Sequence, residues 1–207
     1  MSDLSAIAAE LRDRFDARMA GREQGLTSSR KAIRTCANSI RAVHRQEWDL
    51  ARRLQAEARA ELDLAQEAMR PFPEIYHAGF LHDAEKEYVE ALATYAVIRG
   101  EPIPTPQTCR VGDAAYLNGL SEVIGEVRRH LLDVIRGGDL ERGEALLESM
   151  DEIYFVLVSM DYPDAITAGL RRSTDVARSI MERSRGDLSI TIAQERIRKA
   201  IERSLER

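Results

Sequence analysis

Glu87 and Glu90 stand three residues apart in FLHDAEKEYVEALATYAVIR, residues 80–99. The stretch is amphipathic with helical period, so both carboxylates project from one face about one turn apart, close enough to share a divalent cation. Two ligands on one helix hold such an ion only if further oxygens arrive from elsewhere. Asp151 and Glu152, in ESMDEIYF (148–155), are the best donors. Asp151 lies between Met150 and Ile153, near an apolar face, where an acid must pair, be hydrated or bind metal. Three or four carboxylates around Mg²⁺ or Mn²⁺ suit phosphodiester hydrolysis, in which the metal polarises the phosphoryl oxygen and generates hydroxide. The competing reading is a solvated acidic face, with Lys86 and Arg99 as ion-pair partners.

A second constellation is basic. The net charge is −5, yet residues 27–53 carry seven Lys/Arg against two acids. Arg30, Lys31, Arg34, Arg41, His44 and Arg45 recur with helical spacing, and few acids interleave at i+4 to neutralise them. An unneutralised strip suits phosphates, so these six residues are the candidate nucleic-acid contacts. Trp48 could stack a base but falls on the apolar stripe, which makes it core.

Other chemistries lose support. Glu74-Ile75-Tyr76-His77 is an E-x-x-H, but di-iron bundles need two such motifs, and His44, His82 and His130 have no Glu three residues before them. No G-x-x-x-x-G-K-[ST], G-x-G-x-x-G or G-x-S-x-G occurs, against NTP hydrolysis, dinucleotide and serine-hydrolase chemistry. Cys36 and Cys109 have no metal spacing and read as reduced, structural thiols.

The elements that must position these residues are helices. The chain has 207 residues, 44% apolar and 31% charged, enough for one large globular domain. Residues 3–20 predict a short amphipathic helix, broken by Gly21 and Gly25. One very long helix follows, capped at Thr27, Ser28 or Ser29 and stopped by Pro71 and Pro73. At roughly 42 residues it makes a rod on the order of 60 Å, longer than such a domain can cover, so its apolar flank calls for an oligomer. Further helices are expected over 74–99, 113–136, 139–160 (Asp139 as N-cap), 163–185 and, behind a Thr191–Gln194 capping box, to about Leu205. No strand pattern survives. The fold expected is all-α, a single-domain bundle of six to seven helices over 1–207, with residues 1–24 as a candidate appendage. No run spans a bilayer, and the acid-bearing N-terminus is neither a signal nor a transit peptide; a cytoplasmic protein is expected.

Taken in order, SRKAIRTCANSIRAVHR (29–45), GFLHDAEKEYVEA (79–91), YLNGLSEVIGEVRRH (116–130), GDLERGEALLESMDEIYFVL (138–157) and LRRSTDVARSIMERSRGDLSI (170–190) resemble the translin/TRAX family. The E-Y-V-E-A element is the most specific part and matches the TRAX-type, catalytic side. The resemblance implies a seven-helix, translin-like subunit assembling into a hollow octamer. It places Glu87, Glu90 and Asp151 in the acidic site, with Glu152 adjacent, binding Mg²⁺ (or Mn²⁺). Arg30, Lys31, Arg34, Arg41, His44 and Arg45 match the helix that faces nucleic acid. One chain carrying both features resembles the prokaryotic, homo-oligomeric type. The implied activity is a metal-dependent endoribonuclease for single-stranded or unpaired RNA inside an oligomeric shell. The alternative is a non-catalytic binder of single-stranded RNA or DNA.

Overall fold

A computed structural model describes residues 4–77 and 79–206, and among these every regular element is a helix. The elements are α1 Leu4–His44, α2 Trp48–Met69, α3 Pro73–Tyr76, α4 Gly79–Arg99, α5 Pro106–Cys109, α6 Asp113–Arg136, α7 Leu140–Ser159, α8 Asp164–Thr167 and α9 Leu170–Leu205. The all-α expectation with a very long N-terminal helix holds. The chain divides into two compact units, Met1–Ala91 and Leu92–Arg207, with the division inside α4.

Several boundaries differ from expectation for identifiable reasons. The expected rod is cut at residues 45–47. Gln46 takes a left-handed backbone (φ 60), while Glu47 N–H donates to Ala42 C=O and Gln46 N–H to Val43 C=O, both at 2.9 Å. This is a Schellman closure, usually built on Gly. A Gln at the left-handed position left no punctuation to read. At the other end, α1 runs straight through Gly21 and Gly25. Both are there for space: a Cβ on Gly21 would lie 2.8 Å from the Ala68 carbonyl oxygen and from the Phe72 ring, and one on Gly25 2.6 Å from Met69 Sδ. The capping box at Thr191 is likewise not used. The Thr191 hydroxyl donates back to Asp187 C=O within α9, and α9 passes Gly186 unbroken.

The cut turns the rod into an antiparallel hairpin. α2 buries Ala51, Gln55, Ala58, Leu62, Ala65 and Met69, a strict 4–3 alternation with Ala at every second position. Facing it, α1 buries Gly25, Ser29, Ala32, Cys36, Ser39 and Val43 on the same alternation. Seven-residue periodicity on both partners keeps one seam in contact along the pair, and small seam residues let the axes approach closely. Ser39 Oγ donates to Ala51 C=O across the seam at 3.1 Å. The flank expected to need a neighbour is therefore covered within the hairpin. Large apolar side chains remain exposed elsewhere: Leu4, Ile7, Leu11, Phe15 and Met19 on α1, Phe155 and Val158 on α7, and Ile190, Ile197, Ile201 and Leu205 on α9.

In the second unit α6, α7 and α9 pack around Val123, Ile124, Val127, Leu131, Leu146, Met150, Ile153 and Leu188. Asp139 caps α7 as expected, accepting from Arg142 N–H at 3.0 Å. Asn118 is buried and donates to Ala114 and Thr167 carbonyls, both at 2.8 Å. No described helix is long and apolar enough to cross a membrane.

Candidate metal and nucleic-acid sites

α4 is held at its middle and at its C-terminal end by side chains reaching its backbone. Gln55 on α2 donates to Ala91 C=O at 3.3 Å. Arg142 on α7 donates to Val97 and Ile98 carbonyls at 3.2 and 2.8 Å, a cation on the terminal acceptors of a helix where the dipole favours it. Within that helix Glu87 is half-buried and Glu90 buried.

Ligand oxygens of Glu87, Glu90 and Glu122 all lie within 4.8 Å of one another. Three carboxylates at that separation repel strongly when ionised, and burial raises the cost. A hard divalent cation is the partner such an all-oxygen donor set fits. These three acidic residues form a group that could hold a metal ion. The expected pair is thus together, and Glu122 on α6 is the member sequence reasoning missed. Its signal was available: like Asp151, it interrupts a helical apolar run, between buried Ser121 and Val123.

The field of the pair reaches Cys36 on α1. Burial pushes that thiol well above the ordinary cysteine range, the Glu87 and Glu90 charges push it further, and Arg59 opposes them. Neither Cys36 nor Cys109 forms a disulfide among the described residues, and both are buried, as expected of reduced, structural thiols.

Asp151 stands outside the three-carboxylate group. Both its oxygens accept from Arg185 Nη2, at 2.6 and 2.9 Å, and Glu152 beside it is exposed. Glu74 of the E-x-x-H pairs with Arg18 at 2.6 Å, and His77 packs edge-on against Tyr76.

The basic strip lies on one side of α1. At 100° per residue, Arg30, Lys31, Arg34 and Arg41 occupy an arc of roughly 100°, opposite the buried seam of Ala32, Ser39 and Val43, and all four are exposed. Arg30 and Arg34 make no ion pair among the described residues. Arg41 donates to Asn38 Oδ1 at 2.6 Å. Lys31 reaches Glu61 at 3.7 Å. Arg45, just past the helix, forks onto Glu47 at 3.1 and 2.8 Å. His44 is half-buried on the flank of the arc. Trp48, at the first turn of α2, is half-buried too.

No family model matches the chain. It is 30% identical over 183 residues to an uncharacterized protein of Methanocaldococcus jannaschii, MJ0175, covering 88% of this chain and 81% of that one. Among solved structures it is similar to AfC3PO, both alone and in a complex with duplex RNA, with TM-score 0.82, 33% identity, and coverage of 90% of this chain and 97% of that one. NeC3PO without ligand shares the fold at TM-score 0.80 and 19% identity, over 92% and 98% of the two chains.

Proposed function

Because this chain belongs to the translin/TRAX family, we propose that it binds RNA along the basic face of α1 and cleaves it at the acidic group of Glu87, Glu90 and Glu122. The observation that carries the reading is the convergence of three carboxylates, one of them buried, within 4.8 Å. Mg²⁺ or Mn²⁺ bound there would act as a Lewis acid on a phosphoryl oxygen and lower the pKa of water. Glu87, Glu90 and Glu122 would hold the ion through their carboxylate oxygens. Arg30, Lys31, Arg34, Arg41 and Arg45 take the phosphates and align the strand, and His44 sits at the edge of that surface.

RNA as the partner is supported by the complex of AfC3PO with duplex RNA. The preference proposed for this chain is single-stranded or unpaired RNA, so the assay includes both forms. A homo-oligomer, with the octameric shell of the family as the expected form, is supported by the exposed apolar residues of α1, α7 and α9. Light scattering reads the subunit number directly.

The test is cleavage of labelled single-stranded and duplex RNA with Mg²⁺, Mn²⁺ or EDTA. Glu87→Ala with Glu90→Ala should abolish cleavage and leave RNA binding nearly intact. Glu122→Gln should do the same. Asp151→Asn, which breaks an ion pair with Arg185 instead, should leave cleavage standing; the reverse pattern would make Asp151 the third ligand. Undiminished cleavage by the double alanine variant removes the nuclease assignment and leaves a binder.

A further inference from the structure

Arg59, on α2, belongs neither to the basic strip nor to the acidic group, and its side chain is only 12% exposed. A buried guanidinium must be held on several sides. One Nη2 donates to Gln66 Oε1 at 2.9 Å and approaches Asp63 Oδ1 at 3.1 Å. The guanidinium carbon lies 5.2 Å over the ring of Tyr88, within cation–π range. Gln66 then passes the connection on, its Nε2 donating to Glu85 Oε1 at 2.7 Å. Glu85 is itself buried, at 7% exposure. An Asp63–Arg59–Gln66–Glu85 chain therefore ties α2 to α4, with Tyr88 stacked under its middle.

The two α4 residues gripped by this chain sit opposite the acidic pair. At 100° per residue Glu85 and Tyr88 share one side of the helix, and Glu87 and Glu90 the other. A helix held only by apolar packing can rotate by small amounts. One held by a stacked ring and a buried carboxylate on its back face cannot do so without breaking both. Rotation of α4 by a few degrees moves carboxylate oxygens at the end of a Glu side chain by fractions of an ångström, and misplacement on the order of 1 Å costs about 100-fold in rate.

We propose that Arg59 is the positioning residue of the acidic site: through Tyr88 and the Gln66–Glu85 link it sets the rotation of α4 and hence where Glu87 and Glu90 project. Its effect on cleavage rests on the nuclease reading; its effect on α4 does not. Arg suits the task because its planar fork can stack on an aromatic face while bonding two acceptors, which a Lys ammonium cannot do at once.

The experiment compares wild type, Arg59→Met, Arg59→Lys and Gln66→Met in the full-length protein. Hydrogen exchange reads α4 amides 85–91, Mn²⁺ titration followed by electron paramagnetic resonance reads metal uptake, and anisotropy reads RNA affinity. Arg59→Met should speed exchange in 85–91 about tenfold, weaken Mn²⁺ uptake about tenfold and slow cleavage about 100-fold, with RNA affinity unchanged. Arg59→Lys should resemble Arg59→Met. Gln66→Met keeps the stack and should show a smaller version of the same pattern; it decides the matter if Arg59→Met fails to fold. Unchanged exchange in 85–91, or full rescue by Lys, overturns the proposal. If wild type takes up no Mn²⁺ and cleaves nothing, the nuclease reading falls, while the exchange data still decide the role of Arg59.

Discussion

Salt dependence of RNA binding is the sharpest consequence of the basic strip, because the structure sorts its cations. Lys31 is offset by Glu61 and Arg45 by Glu47, whereas Arg30, Arg34 and Arg41 face solvent with no carboxylate within 4 Å among the described residues. Each phosphate neutralised on a single strand contributes about −0.7 to the slope of log affinity against log salt. Three effective cations per strand segment give a slope of about −2, or roughly a 20-fold loss between 50 and 200 mM salt. Five would give about −3.5 and a loss of about 100-fold. Arg34→Ala with Arg41→Ala leaves one unpaired cation, a slope of about −0.7 and a loss of only about threefold over the same range. Glu47→Gln and Glu61→Gln should act the other way, releasing Arg45 and Lys31 and steepening the slope. The assay is fluorescence anisotropy of a short labelled RNA, titrated at several NaCl concentrations. An unchanged slope in the Arg34/Arg41 double variant would refute the assignment of this face, whatever its effect at a single salt concentration.

Other substitutions test the fold that carries the sites. Gln46→Gly should raise stability by about 1 kcal/mol, because a left-handed residue with a Cβ costs about that much; chemical denaturation measures it, and a loss would mean the Gln side chain contributes more than its backbone costs. Gly21→Ala should destabilise by about 1 kcal/mol or more despite the better helix propensity of Ala, since its Cβ would sit 2.8 Å from a backbone oxygen of α2. Burial and the nearby carboxylates raise the Cys36 thiol above its ordinary value of 9.0. Above pH 9 the unfolded chain therefore loses this proton while the folded chain keeps it, so stability falls as pH rises there; Cys36→Ala should flatten that limb in pH-dependent denaturation.

Helical period, Pro and Gly punctuation and the absence of alternating segments determined the all-α class from sequence, because these are local properties of the chain. So did the Glu87–Glu90 pair and the basic arc of α1, since residues three and four apart on a helix share a face whatever surrounds them. The Asp139 cap was legible for the same reason. Where neighbours decide, the sequence was silent. Gly21 and Gly25 read as breaks, yet only the approach of Ala68, Phe72 and Met69 explains them. The α1–α2 hairpin turns on a Gln that adopts a glycine's backbone, which no composition rule marks. Glu122 and Asp151 look alike along the chain, each an acid set in an apolar helix face. The tertiary structure separates them, one joining Glu87 and Glu90 and the other taken by Arg185, because a carboxylate's role is set by which charge folding brings beside it.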